Sequence, residues 1–312
     1  MALGQNGVII MIYHLKTTIK METYLEIFTN TVSGMANYQW RQIIFDVPWN
    51  ENWFWGLTLI SLLVWGLELL FPWRKNQKAI RRDFWLDWIY MYLNFFIFQI
   101  GLFGMYELLG KGFNNFGITS TSFVLIEKEA MPTWAFILIF FILNDFVQWF
   151  THVLLHKFEF LWRFHKVHHS VKEMGFAAHL RYHWMENIFY KPLKTLVVMI
   201  LVGAEPEQAF FIHFFAVLIG HLNHANIRIT WGPLKYIFNN SVMHLYHHVK
   251  ALPDGKPNGI NFGISLSLWD YIFKTNYVPE DSGTVEIGFP GEETFPQGLW
   301  GQSIYGFGKN KK

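Results

Sequence analysis

Residues 134–169 read WAFILIFFILNDFVQWFTHVLLHKFEFLWRFHKVHH. From Trp134 to about Phe150 the stretch is almost wholly apolar, broken near its end by Asn144 and Asp145. A bilayer core about 30 Å thick needs roughly 20 such residues of helix to cross it, so the segment predicts a membrane span. It flows directly into His152 and His156, which are four apart and share one face if the helix continues. His165, His168 and His169 follow at i, i+3 and i+4, again converging on one side of a helix. A membrane helix that ends in clustered imidazoles is the seed of both the fold and the function.

Outward from there, the chain keeps the same character. It has 312 residues, 52% hydrophobic and only 15% charged, against about 25% charged in an average soluble domain. Five stretches predict membrane helices: Trp53–Phe71, closed by Pro72 with Glu68 near the interface; Trp88–Leu109; Trp134 to about Phe150; and two shorter ones, about Ile188–Val202 and Ala209–Gly220. The last two read as a hairpin dipping into the membrane. The connector Arg74, Lys75, Lys78, Arg81, Arg82 carries five positive charges in nine residues and predicts a cytoplasmic loop. Counting onward, His152, His221 and His224 all return to that side. The expected fold is all-α: an integral, multi-pass membrane bundle of about four to five helices with a cytoplasmic, histidine-rich helical cap. Residues 1–52 read as an interfacial or aqueous leader, 53–275 as the membrane domain with its motifs in 144–275, and 276–312 as a polar cytoplasmic tail.

A net charge of +2 and the lack of a basic stripe interleaved with aromatics exclude a nucleic-acid partner. With no cysteine in the chain, disulfides, thiolate nucleophiles and iron-sulfur ligation are excluded as well. Any metal must rest on nitrogen and oxygen. Thirteen of the fourteen histidines fall between His152 and His248. The i, i+3, i+4 pattern recurs at His244, His247 and His248, and His221 and His224 close the hairpin. Ten imidazoles in four groups (His152, His156; His165, His168, His169; His221, His224; His244, His247, His248) suit two metal ions, because one six-coordinate ion cannot use ten ligands. Imidazole sites without thiolates suit iron, copper or zinc alike. His179 and His183 fit an outer hydrogen-bonding or lipid-headgroup role as well as ligation, and His213 reads as a buried neutral ring.

Asn144-Asp145, His152-x3-His156 and Leu161-Trp162-Arg163-Phe164-His165-x2-His168-His169 together resemble the fatty acid hydroxylase and sterol desaturase superfamily. So do Arg181-Tyr182-His183 with Glu186, His224-Ala225-Asn226, His244-x2-His247-His248 and the closing Asn261-Phe262-Gly263 and Leu268-Trp269-Asp270. Val153 departs from the arginine that often follows the first motif histidine in that family. The resemblance implies an O2-dependent oxidoreductase that uses two iron ions to hydroxylate or desaturate a sterol, fatty acyl or related lipid. It also implies a separate electron donor, cytochrome b5-like or ferredoxin-like, and second-layer roles for Asp145, Asn226, Asn261 and Asp270 as acceptors for imidazole N–H groups. The alternatives are a carotenoid-ring hydroxylase and, from another class, a histidine-rich membrane metal transporter or store.

Overall fold

The computed structural model describes residues 23–119, 122, 131–188, 206–279 and 285–308, and these are helical with irregular connections and two isolated β-bridges. Helix α1 (Tyr24–Ile43) opens on a capping box in which Thr23 and Glu26 satisfy each other's backbone N–H. Most of the expected leader's second half is therefore this helix. It lies along the helix Phe98–Asn115, where Gly104 admits the ring of Phe28 against the backbone. Asn52 caps α2 (Trp53–Leu70) through the Trp55 N–H and donates to Gln42 O, tying the two helices at their junction.

Phe84–Asn115 is one long helical run. It comprises α3 (Phe84–Tyr92), a π-helical turn (Leu93–Ile97) and α4 (Phe98–Asn115). Helix α5 (Thr133–Lys157) and the shorter α7 (Pro206–His224) complete the apolar set. Among the described residues, three helices, Trp53–Leu70, Phe84–Asn115 and Thr133–Lys157, are long and apolar enough to cross a membrane, and Phe210–His224 is a shorter apolar helix. Ile188 is described, but the rest of the expected stretch to Val202 lies outside the described residues. The interior between α2, α3 and α7 is aromatic: Trp53, Phe95, Phe210 and Phe214 pack ring on ring.

Above the helices sits the cap, built from α6 (Glu159–His169), a strap with a 3-10 turn at Phe176–Leu180, α8 (Ser241–His247) and α9 (Leu268–Ile272). What lowers the strap onto the helices is polar. Asn94, fully buried at the π turn, donates to the carbonyls of Leu180 and Tyr182 at 3.0 and 2.9 Å. Glu68, near the end of α2, accepts the backbone N–H of Phe176 and Asn226 at 2.9 and 2.7 Å. Arg181 on the strap reaches Asp87 at 3.0 Å, Asp83 at 3.2 Å and Ser170 Oγ at 3.0 Å, and Arg81 meets Asp87 at 2.6 Å. The basic connector is thus only partly a solvated loop: Arg81 is turned inward, and Arg74 bonds the carbonyl of Met174.

Within the segment expected as a polar tail, residues 285–308 pack down. Phe289 and Phe295 are buried with Val167 and Tyr90, Arg163 donates to Gly306 O, and Trp184 donates to Ser303 O at 2.7 Å. Among residues 285–308, Ile287, Phe289 and Phe295 are the buried apolar side chains. Helix α10 (Leu299–Ser303) closes this segment.

Removing one member of a buried charge cluster leaves the remaining charges under-compensated, at a cost of up to about 3–5 kcal/mol, here lessened because Arg81 still pairs with Asp87. Arg181→Met is accordingly expected to lower the apparent Tm of the detergent-solubilised protein steeply, whereas Arg41→Ala, which breaks the exposed Arg41–Asp46 pair, leaves it unchanged within error. Equal Tm values for the two variants would refute the anchoring role of Arg181.

Candidate metal centre

The cap brings nine imidazoles into two groups. His152, His156, His165, His169 and His247 form the first; His168, His224, His244 and His248 form the second. Within each, one nitrogen per ring lies within 4.8 Å of the others. The helical spacing explains the division. His152 and His156 share a face of α5, and His165 and His169 share a face of α6, while His168 is turned to the side and joins the neighbouring group. On α8 the same pattern runs the other way: His244 and His248 serve the second group, and His247 the first. The two groups share α6 and α8, so they are adjacent, with ring centroids of His169 and His248 4.4 Å apart.

Five rings have Nδ1 tied outward. His152 meets Phe262 O at 2.7 Å, His247 meets Ile260 O at 2.8 Å, His168 meets Arg181 O at 3.0 Å, His224 meets Gly220 O at 2.7 Å, and His165 meets Glu186 Oε2 at 3.1 Å. A carbonyl or carboxylate only accepts, so each Nδ1 carries the proton and each neutral ring keeps its lone pair on Nε2. Burial pushes both His165 and His168 down to about 3, for His168 with help from the neighbouring imidazoles, so they are neutral at physiological pH. Burial and neighbouring rings likewise hold His169, His244, His247 and His248 well below the ordinary histidine value.

Two consequences test whether a metal fits. His152 Nε2 and His165 Nε2 face each other at 3.1 Å, with both protons spent on Nδ1. That is lone pair against lone pair, a repulsion a shared cation would relieve. In addition, His156 Nε2, His169 Nε2, His247 Nε2 and both ring nitrogens of His248 are buried without a hydrogen-bond partner, a costly state for polar atoms. Donors that are neutral, imidazole-only and turned inward fit a late first-row divalent ion in each group.

The structure does not bring His221 to either group: its Nε2 lies 3.0 Å from Ser61 Oγ and its Nδ1 3.0 Å from His179 Nδ1. Asn226, Asn261 and Asp270 sit one layer further out than expected. Asp270 accepts from Trp149 Nε1, Thr275 Oγ1 and the N–H groups of Phe262 and Gly263, and Asn261, at a φ of 52°, donates to Met243 O and Tyr277 O. Together they fix the loop whose carbonyls at Ile260 and Phe262 orient His247 and His152. Asn226 bonds the backbone of Arg74 in both directions, and Asp145 accepts from Ser265 N and Trp269 Nε1. Glu186, quoted for its motif, emerges as the partner of His165. The backbone acceptors carry no mark in the sequence.

Residues 137–275 match the model of the fatty acid hydroxylase family. The chain is 31% identical over 151 residues to an ornithine lipid hydroxylase of Rhizobium tropici, covering 48% of this chain and 44% of the relative. An alkylglycerol monooxygenase of Caenorhabditis elegans is 27% identical over 194 residues, 58% of this chain and 35% of that protein. A very-long-chain aldehyde decarbonylase of Oryza sativa subsp. indica is 25% identical over 167 residues, 52% of this chain and 62% of that protein. The chain therefore spans less than two thirds of each of these relatives. No solved structure matches it.

Loosening the loop behind the rings should weaken metal binding without removing a ring. Asp270→Asn, which turns an acceptor of four hydrogen bonds into a group that also donates, is expected to lower metal affinity by about 10–100-fold, read by competition with a chelator. Unchanged affinity would separate that loop from the site.

Proposed function

We propose, for a chain whose residues 137–275 match the fatty acid hydroxylase family, an O2-dependent oxidase of membrane lipids that works through two irons. The single observation that carries this reading is the division of nine inward-turned imidazoles into two adjacent groups. His152, His156, His165, His169 and His247 would hold one ion, and His168, His224, His244 and His248 the other. When bound, the irons supply the reduction of O2 and the oxidation of an unactivated C–H bond to an alcohol or, by loss of a second hydrogen, an alkene.

The chain's own part is positional. Backbone carbonyls and Glu186 hold each tied ring in one tautomer and one orientation. Burial keeps bulk water from the centre, so that reducing equivalents are not lost to side reactions. Hydroxylation consumes two electrons and two protons beyond the substrate's own. The donor that completes the balance is, on this reading, a separate cytochrome b5-like or ferredoxin-like protein. By the charge of the 74–82 connector the centre faces the cytoplasm, where such donors operate.

The likeness to an ornithine lipid hydroxylase and an alkylglycerol monooxygenase supports a substrate with a polar head and a long aliphatic chain. The ligands on α5 and α7 lie at the ends of apolar helices. There a lipid can keep its head at the interface while its chain stays in the hydrocarbon, which suits such a molecule better than a rigid polyene.

Membranes containing wild type or His168→Ala, supplied with NADH-reduced donor and 18O2, would be compared by lipid mass spectrometry. The expected result is a polar lipid carrying one 18O atom, or a lipid lacking two hydrogens, formed only by wild type. Anaerobic elemental analysis should find close to two irons per wild-type chain and fewer in the variant. Metal content indifferent to His168 would overturn the assignment.

A further inference from the structure

A groove of about 480 Å3 runs along one face of the helical run Phe84–Asn115, and none of its lining residues belongs to either imidazole group. Trp85, Ile89, Phe96 and Ile100 lie on that face, and Ile43 of α1 and Phe54 of α2 complete the lining. At a rise of about 1.5 Å per residue, Trp85 to Ile100 covers about 22 Å. Half the thickness of a bilayer core is only about 15 Å. A single aliphatic chain laid in the groove is therefore accompanied by protein from the interface past the midplane.

The wall offers little to water. The Tyr92 hydroxyl is spent on Thr58 Oγ1 at 2.9 Å, because Thr58 itself donates to Phe54 O at 2.7 Å, and Gln39 Oε1 accepts from Gln42 Nε2 at 3.1 Å. A groove of that kind stays dry and suits hydrocarbon. Its end at Trp85 carries the opposite character. Trp85 is the second residue of α3, and the connector that leads into it exposes Lys75, Lys78 and Arg82. Arg81 is turned to Asp87, but among the described residues these three have no carboxylate as an ion-pair partner. The Arg82 guanidinium meets the neutral Gln297 Oε1 at 3.3 Å, and Glu173 accepts the Arg82 backbone N–H at 2.8 Å.

We propose that the groove holds an acyl chain of an anionic phospholipid whose head lies on the cations of the connector. A basic segment immediately beside a membrane helix attracts anionic heads. Here the same molecule finds a seat for its hydrocarbon one turn further on. A second copy of this chain suits the face less well: parallel in the same membrane and joined there symmetrically, it would set one connector beside the other, cation against cation. The lipid lies against α1, α2 and α3 together, so it is a structural component that closes their seam, and the inference stands apart from the two-metal reading.

The test reconstitutes the full chain in vesicles of equal phosphatidylglycerol and phosphatidylcholine, extracts it in mild detergent and counts the retained lipid by native mass spectrometry. Wild type is expected to keep one phospholipid per chain, choosing phosphatidylglycerol over phosphatidylcholine by about tenfold. The triple variant Lys75→Gln, Lys78→Gln, Arg82→Gln should keep a lipid but take the two nearly equally. Ile89→Trp and Ile97→Trp, at positions 46% and 57% exposed, each put a ring into the groove and should each lose the lipid. After delipidation, added phosphatidylglycerol should raise the Tm of wild type and leave that of either tryptophan variant unmoved, while equal Tm values without lipid show that the variants fold. Lipid kept by both tryptophan variants, or no preference between the two heads in wild type, would refute the site. A lipid-free dimer that the tryptophan variants dissociate would assign the groove to a second copy and refute it as well.

Discussion

Lone pairs confronting lone pairs in a dry interior are the constraint on which this molecule turns. Nine rings converge on two points with their basic nitrogens inward, and five of them have spent their only proton on an outward acceptor. Water cannot relieve the confrontation, because most of these rings are buried. Protonation cannot either, since burial has driven the rings for which it is resolved in the cap far below neutrality. A Lewis acid would satisfy such an arrangement, and a cation held there would offset the cost of these buried nitrogens. The rest of the architecture serves to hold the rings in that unfavourable register.

That holding is done by polar groups set at the ends and turns of apolar helices. Asn94, Glu68 and Asp87 would each be expensive in hydrocarbon, yet each is committed to the strap at 170–187 or to the residues beside it. The π turn at Leu93–Ile97 places Asn94 within reach of two carbonyls of that strap. The strap in turn supplies the Arg181 carbonyl that orients His168 and Glu186 that orients His165. A chain of buried hydrogen bonds therefore runs from the lipid-facing helices to the imidazoles, and specificity of geometry replaces the hydrophobic effect as the organising force.

Much of this was written locally and could be read locally. Runs of 18 or more apolar residues fix spans by bilayer thickness alone, and the spacing of His165, His168 and His169 fixes a shared helical side. What escaped reading is non-local. That α6 and α8 divide their histidines in opposite senses depends on the angle at which the two helices meet. That Phe262 and Ile260 accept from rings depends on backbone, which has no residue code. His221 groups with His224 in the sequence because both close the same apolar stretch, but on α7 its ring turns to Ser61 on α2, a partner 160 residues away. The last segment reads as a tail because its composition is polar, while Ile287, Phe289 and Phe295 anchor it in the core.

The division of ligands between the groups also sets an order in time. By the end of α6 the nascent chain already holds four of the first group's five rings, but only one of the second group's four. A cation captured there early needs only His247, and His247 lies on the same turn of α8 as His244 and His248. Its docking carries both of those rings to the second group at high effective concentration. On the two-metal reading, the first ion would thereby be the template on which the second site is assembled.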